Sequence, residues 1–137
     1  MSANSKSLYM HHLDQVGVRY TDAGENRVTV SYKGDNLASI PIQVNFDKNG
    51  NEYVQLDCWN IAKFNEGKMA AGLVTCNALN ARFRWGKFYI DSDLDVRCQA
   101  DLVIEPNTTG QHIQGVLKRL VSIIDDAYPE LMKALWA

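Results

Sequence analysis

Cysteine is scarce and odd in number: Cys58, Cys76 and Cys98 are the only three in 137 residues, at spacings of 18 and 22. Such a set suits neither a disulfide framework nor a two-residue metal knuckle, and the three read as reduced thiols. The imidazoles are equally few. His11, His12 and His112 lie where none is spaced to activate a cysteine or to complete a metal site. No stretch approaches the roughly 18 apolar residues that span a bilayer, and the opening MSANSKSLYMHHLDQ lacks the apolar segment of a signal peptide. A cytoplasmic protein with no membrane partner is expected. An excess of one charge is missing too: 14 Lys and Arg against 16 Asp and Glu leave a net charge of -2, no attraction for nucleic acid. Neither GxGxxG, GxxxxGK[ST], GxSxG nor HExxH occurs, so nucleotide-binding and hydrolase readings lose their usual support.

What the chain does have is alternation. From 94 to 104 the even positions are Leu94, Val96, Cys98, Ala100, Leu102 and Ile104, a long strand with one dry face. Shorter runs repeat the pattern: Val28, Val30 and Tyr32; Ile40, Ile42, Val44 and Phe46; Val54, Leu56 and Cys58; Phe88 and Ile90. TDAGEN and KGDN read as turns, Asn49-Gly50 as a tight hairpin, and Pro41 marks an edge strand or a bulge. Helical spacing sets in three times. The first helix starts near Asn4 or Ser5 and stops at Gly17, with Leu8, Tyr9, Leu13 and Val16 as its stripe. The second covers residues 66–83, with Met69, Leu73 and Cys76 on one side. The third opens after Pro106 on the capping box Thr108-x-x-Gln111 and carries Ile113, Val116, Leu117, Leu120, Val121 and Ile124, until Pro129 kinks or interrupts it. The reading is one α+β domain over residues 1–137, ordered α-β-β-β-α-β-β-α, an antiparallel five-stranded sheet with helices covering one face.

Each chemical-looking cluster has a plainer competitor. Asp91-Ser92-Asp93-Leu94-Asp95 opens like a calcium loop, but Val96 and Leu102 stand where the glycine and the bidentate glutamate belong, so a solvated turn is preferred. The cysteines fall at core positions and read as small hydrophobes, so no catalytic residue is assigned and no cofactor is implied. Asn77 and Asn80, one turn apart, orient a ligand or a subunit interface on one reading and bond the adjoining loop on the preferred one. Arg82-Phe83-Arg84-Trp85 interleaves cations and rings, and is preferred as a helix end whose arginines offset the dipole while Phe83 and Trp85 pack. The uncovered sheet face presents Tyr53, Trp59, Tyr89 and Arg97, either a partner surface or scattered exposed residues. The cluster Phe83, Trp85 and Phe88 forms either a twofold interface or core filling between helix and sheet.

The element order, with the stretch CNALNARFRWGKFYIDSDLDVRCQADLVIEPNTTGQHIQGVLKRLVSIIDDAYPEL, resembles the YbjN-domain family of bacterial proteins, whose fold is similar to that of type III secretion chaperones. The carrying features are the Asn77/Asn80 helix, the short strand ending in Asp91, the long alternating strand and the Thr-initiated last helix. The resemblance implies a helix-covered antiparallel sheet, self-association as a homodimer, and a sensory or regulatory role toward another protein; it supplies no catalytic residues. The expected function is therefore a non-enzymatic protein-interaction module, chaperone-like or regulatory. The alternative is a small-molecule-binding regulatory domain with a pocket near Asn77, Asn80 and Trp85. An enzyme is the weakest reading. With every cysteine at a core position, native alkylation of Cys58, Cys76 and Cys98 should be slow, whereas rapid labelling of any one would reopen thiol chemistry.

Overall fold

The computed structural model describes residues 4–48, 53–105 and 107–137. Three helices, α1 (Ser5–Val16), α2 (Met69–Arg82, entered through a short 3-10 turn) and α3 (Thr109–Trp136), lie against one side of an antiparallel sheet. The sheet has six strands, one more than expected: β1 (Thr21–Gly24), β2 (Arg27–Tyr32), β3 (Ile40–Phe46), β4 (Tyr53–Cys58), β5 (Lys87–Ile90) and β6 (Val96–Val103), in the order β1-β2-β3-β4-β6-β5. The added strand is β1, read from sequence as a turn because all four residues are exposed and nothing alternates. Pairing with β2 creates it, and Lys6 of α1 pins it by donating to the Asp22 carboxylate at 2.6 Å and the Gly24 carbonyl at 2.5 Å.

The even positions of β6 point inward, as the alternation requires, with Val96 and Cys98 fully buried and Leu102 7% exposed. They meet the long apolar face of α3, where Ile113, Leu117, Leu120 and Ile124 are also fully buried. Expectation and structure part at several helix positions. Val16, Leu73 and Val74 are exposed, and α2 faces the sheet through Gly72, Cys76 and Leu79 instead. Gly72 is required there, because a Cβ would come within 2.9 Å of the Phe64 ring and 2.8 Å of Ile90. The Thr108 side chain caps nothing; Thr109, buried, donates its hydroxyl to the Glu105 carbonyl at 2.7 Å. The start of α1 matches expectation, with Asn4 Oδ1 accepting from the Ser7 N–H at 2.8 Å and Gly17 closing the helix at φ 74°. The Asn49-Gly50 hairpin lies outside the described residues. Pro41 sits in an interior strand, yet β4 pairs with β3 only from Gln43 onward, so at Pro41 the strand has one neighbour and is locally an edge.

Pro129 does not interrupt α3, which runs on to Trp136. Proline inside a helix costs about 3 kcal/mol, and burying Leu131 and Leu135 beyond it offsets that at about 2 kcal/mol each. A neighbouring loop also removes part of the cost. Pro129 has no N–H to give the carbonyl of Asp125, and the Asn36 side-chain amide donates to that oxygen at 3.1 Å. The Asp125 carboxylate in turn accepts the backbone N–H groups of Asp35, Asn36 and Leu37 at 3.0, 2.9 and 2.9 Å. Gly34 lets the loop approach, since a Cβ there would lie 2.2 Å from Asp125 Oδ1. Burial pushes the Asp125 carboxyl up, but the three N–H donors outweigh it and hold it below the ordinary carboxylate value.

Asp125→Ala should therefore lower stability by about 3 kcal/mol, since three loop donors lose a charged acceptor. A depressed folded pKa means stabilisation that is complete above the ordinary value of 3.8 and lost as pH falls through the lower folded value. Urea titrations should show the gap between wild type and variant narrowing below that pH.

Candidate functional site

Of the sheet's two faces the described residues cover one, and side chains on the other converge on Arg97. Parity puts Tyr53, Gln55 and Asp57 of β4 on this side with Tyr89 of β5 and Arg97, Gln99, Asp101 and Val103 of β6. Arg97 makes an ion pair with Asp57, whose Oδ1 also accepts from Gln99 Nε2 at 3.3 Å. Hydrogen bonding to Asp57 pushes the already high guanidinium pKa up further, so Arg97 is a fixed cation. Its flat head lies 5.7 Å from the Trp59 ring centre and 5.9 Å from that of Tyr89, within cation–π range of both. Trp59 and Tyr89 are each 40% exposed, and at the far end of the face Tyr53 stands opposite Val103, both open to solvent. The cation is thus held by its ion pair with a ring on either hand.

Two hollows flank Trp59. One of about 490 Å³ lies among Arg27, Asp57, Arg97 and the acidic turn; a smaller one, about 230 Å³, is lined by Thr29, Pro41, Gln43 and Asn60. Asn60, at φ 59°, turns the chain away beneath Trp59. The 91–95 segment is a turn between β5 and β6, in which Asp91 Oδ1 accepts the N–H groups of Asp93 and Asp95 at 2.9 and 3.1 Å. It brings the carboxylates of Asp91, Asp93 and Asp95 within 4.8 Å of one another, while Lys63 lies 3.7 Å from Asp95 and donates to the Asp93 carbonyl at 2.7 Å.

The second group of candidate residues divides. Asn80 binds the edge of the sheet, its Nδ2 donating to the Phe88 carbonyl at 3.0 Å and its Oδ1 accepting the Phe88 N–H at 2.7 Å. That is the loop-bonding role. Asn77 is exposed on the outer side of α2. Phe88 is 2% exposed and belongs to the core, with Phe83 packed against it. Trp85 does not pack as a helix-end residue should; it is 46% exposed, with Arg119 of α3 5.7 Å from its ring centre. Burial raises all three thiol pKa values, Cys58 to about 12, and Cys58 and Cys98 pair directly across β4 and β6.

A family model described as "Putative bacterial sensory transduction regulator", YbjN, matches residues 11–133. The chain belongs to the YbjN family. Its fold is similar to the crystal structure of "YbjN, a putative transcription regulator from E. coli", with TM-score 0.64, 12% identity and 91% of each chain covered. It is also similar to a chain of the heterodimeric ExoU–SpcU complex from the type III secretion system of Pseudomonas aeruginosa, with TM-score 0.55, 12% identity, and 92% of this chain and 96% of that one covered. At such identity the likenesses establish fold alone. No curated protein matches the sequence. No helix among the described residues is long and apolar enough to cross a membrane.

Sequence reasoning missed Asp57, the residue that fixes Arg97. Its parity says exposed, yet it is 3% exposed, because Gln99 is its cross-strand partner and Arg97 reaches it on the diagonal. Only the β4–β6 register reveals this. Arg97→Ala should be the costlier change, at about 3 kcal/mol, because it strands a buried carboxylate. Asp57→Ala should cost less, since Arg97 is partly solvated and its head can turn to water. Denaturant midpoints of the two variants and the double variant test this, with the double costing less than the sum.

Proposed function

We propose that this protein is a non-enzymatic regulatory or chaperone-like module that binds a partner protein through the uncovered sheet face. The supporting observation is the pair of aromatic rings held beside Arg97. Tyrosine, tryptophan and arginine are the residue types that dominate protein-binding energetics, and here two partly exposed rings flank an arginine that the Asp57 ion pair holds. An open face whose larger hollow is lined mainly by charged and polar side chains suits a protein better than a small molecule. The small-molecule alternative keeps Trp85, which lines two hollows, but Asn77 and Asn80 line neither, and Asn80 is committed to Phe88. The similarity in fold to a chain of a heterodimeric secretion complex agrees with the reading. Three free, buried thiols fit a cytoplasmic setting. Self-association belongs to the same reading, with less to rest on: of Phe83, Trp85 and Phe88 at the junction of α2 and β5, Trp85 is the exposed one.

Wild-type protein and a Trp59→Ser/Tyr89→Ser variant, both checked for native circular dichroism, serve as parallel baits for affinity capture. A protein retained by the wild type should bind the variant at least about tenfold more weakly, the effect of losing aromatic anchors. Equal retention by both baits places binding elsewhere. The same preparations in light scattering should give a dimer, and a monomer at high micromolar concentration removes self-association while leaving partner binding intact.

A further inference from the structure

Beyond the end of β5 a groove runs between the end of α2, α3 and the last residues of β6, meeting the uncovered face at Asp101 and Val103 but well apart from Trp59 and Tyr89 in its lining. It has two lobes of about 490 and 510 Å³ that share Trp85, Gly115 and Arg119. The floor is apolar, built from Phe83, Leu102, Val116 and Ile123. The rim of the larger lobe carries Arg82, Arg84, Lys118 and Arg119, with no carboxylate lining it. None of these four takes part in any ion pair found among the described residues, where Lys6, Lys63, Arg97 and Lys133 do. A chain of net charge -2 thus gathers four uncompensated cations around one apolar hollow. Two are held by stacking: Arg82 lies 4.7 Å from the Phe83 ring centre and Arg119 5.7 Å from that of Trp85. Like charges crowded together repel, and no ion pair among the described residues neutralises them, so the arrangement is complementary to an anionic ligand with an apolar side.

We propose that this groove binds an acidic segment of a partner protein that also presents apolar side chains to the floor. Along α3 the groove extends from Gln111 to Ile123, about 18 Å at 1.5 Å per residue, the length of some three helical turns. A peptide satisfies both requirements at once, carboxylates for the rim and an aliphatic or aromatic anchor beside Trp85. A nucleic-acid strand fits less well, because each phosphate needs its own cation and the second lobe offers Asp101 instead. The proposal rests on the protein-binding reading but names a different surface, so variants of the two surfaces separate them.

The test titrates the full chain, by fluorescence anisotropy, into a labelled amphipathic peptide of about four helical turns with leucines on one side and glutamates on the other. Controls are the same peptide with glutamine for glutamate, a single-stranded oligonucleotide of similar length, and anionic phospholipid vesicles. The acidic peptide should bind at least about tenfold more tightly than the glutamine version, with affinity falling as salt rises. Arg84→Glu/Lys118→Glu, at two exposed positions that leave the fold unaffected, should remove that advantage, and Trp85→Ala should weaken both peptides. Trp59→Ser/Tyr89→Ser should change nothing here, even if it abolishes partner capture. Equal binding of the two peptides, indifference to charge reversal, or tighter binding of oligonucleotide or vesicles overturns the proposal. So does a dimer that Trp85→Ala converts to monomer, because a second copy would then occupy the groove.

Discussion

The contact between α3 and the inward side chains of the sheet organises the molecule. Ile113, Leu117, Leu120 and Ile124 bury against the central strands, and α1 and α2 settle on either side of the helix that makes this layer. A sheet covered on one face must leave the other in water, so polar and aromatic residues there are free of packing duty. The same helix carries the second surface, since α3 turns its remaining cations and small residues outward beside Trp85. Both candidate surfaces are what remains once the core is made.

Polar contacts then fix details that apolar burial leaves loose. Tyr9 donates its hydroxyl to Gln114 Oε1 at 2.5 Å and Gln114 donates to the Tyr32 hydroxyl at 3.0 Å, a buried chain joining α1, α3 and β2. Asp125 ties the loop after β2 to the same helix at the point where Pro129 leaves a carbonyl free. Such bonds contribute little net energy each but are costly to break, so they select one docking of the helices over near alternatives.

Much of the fold was legible because burial on one sheet face imposes a period of two, which β6 carries in plain view. The helix faces were less legible. Leu73 and Val74 look like core in sequence, yet Gly72 lies against the sheet, because close approach to Phe64 and Ile90 matters more there than side-chain bulk. β1 was invisible because four exposed residues become a strand only through a partner. At the site, Trp59, Tyr89 and Arg97 were readable from parity, as was the inward side of Phe88, whereas Asp57 required the register between two strands forty residues apart. The gathering of Arg84 and Lys118 at one groove likewise depends on how α2 meets α3, which no local pattern encodes.

Asn80 has a consequence for how the sheet can grow. Its amide occupies both hydrogen-bonding groups of Phe88 on the outer side of β5, as a neighbouring strand would. One margin of the sheet is thereby closed at Phe88 by a side chain, while β1 at the other margin is short and broken by a bulge. With one margin closed by a side chain and the other short and bulged, neither edge offers a long straight template, and growth of the sheet from chain to chain is opposed at both ends.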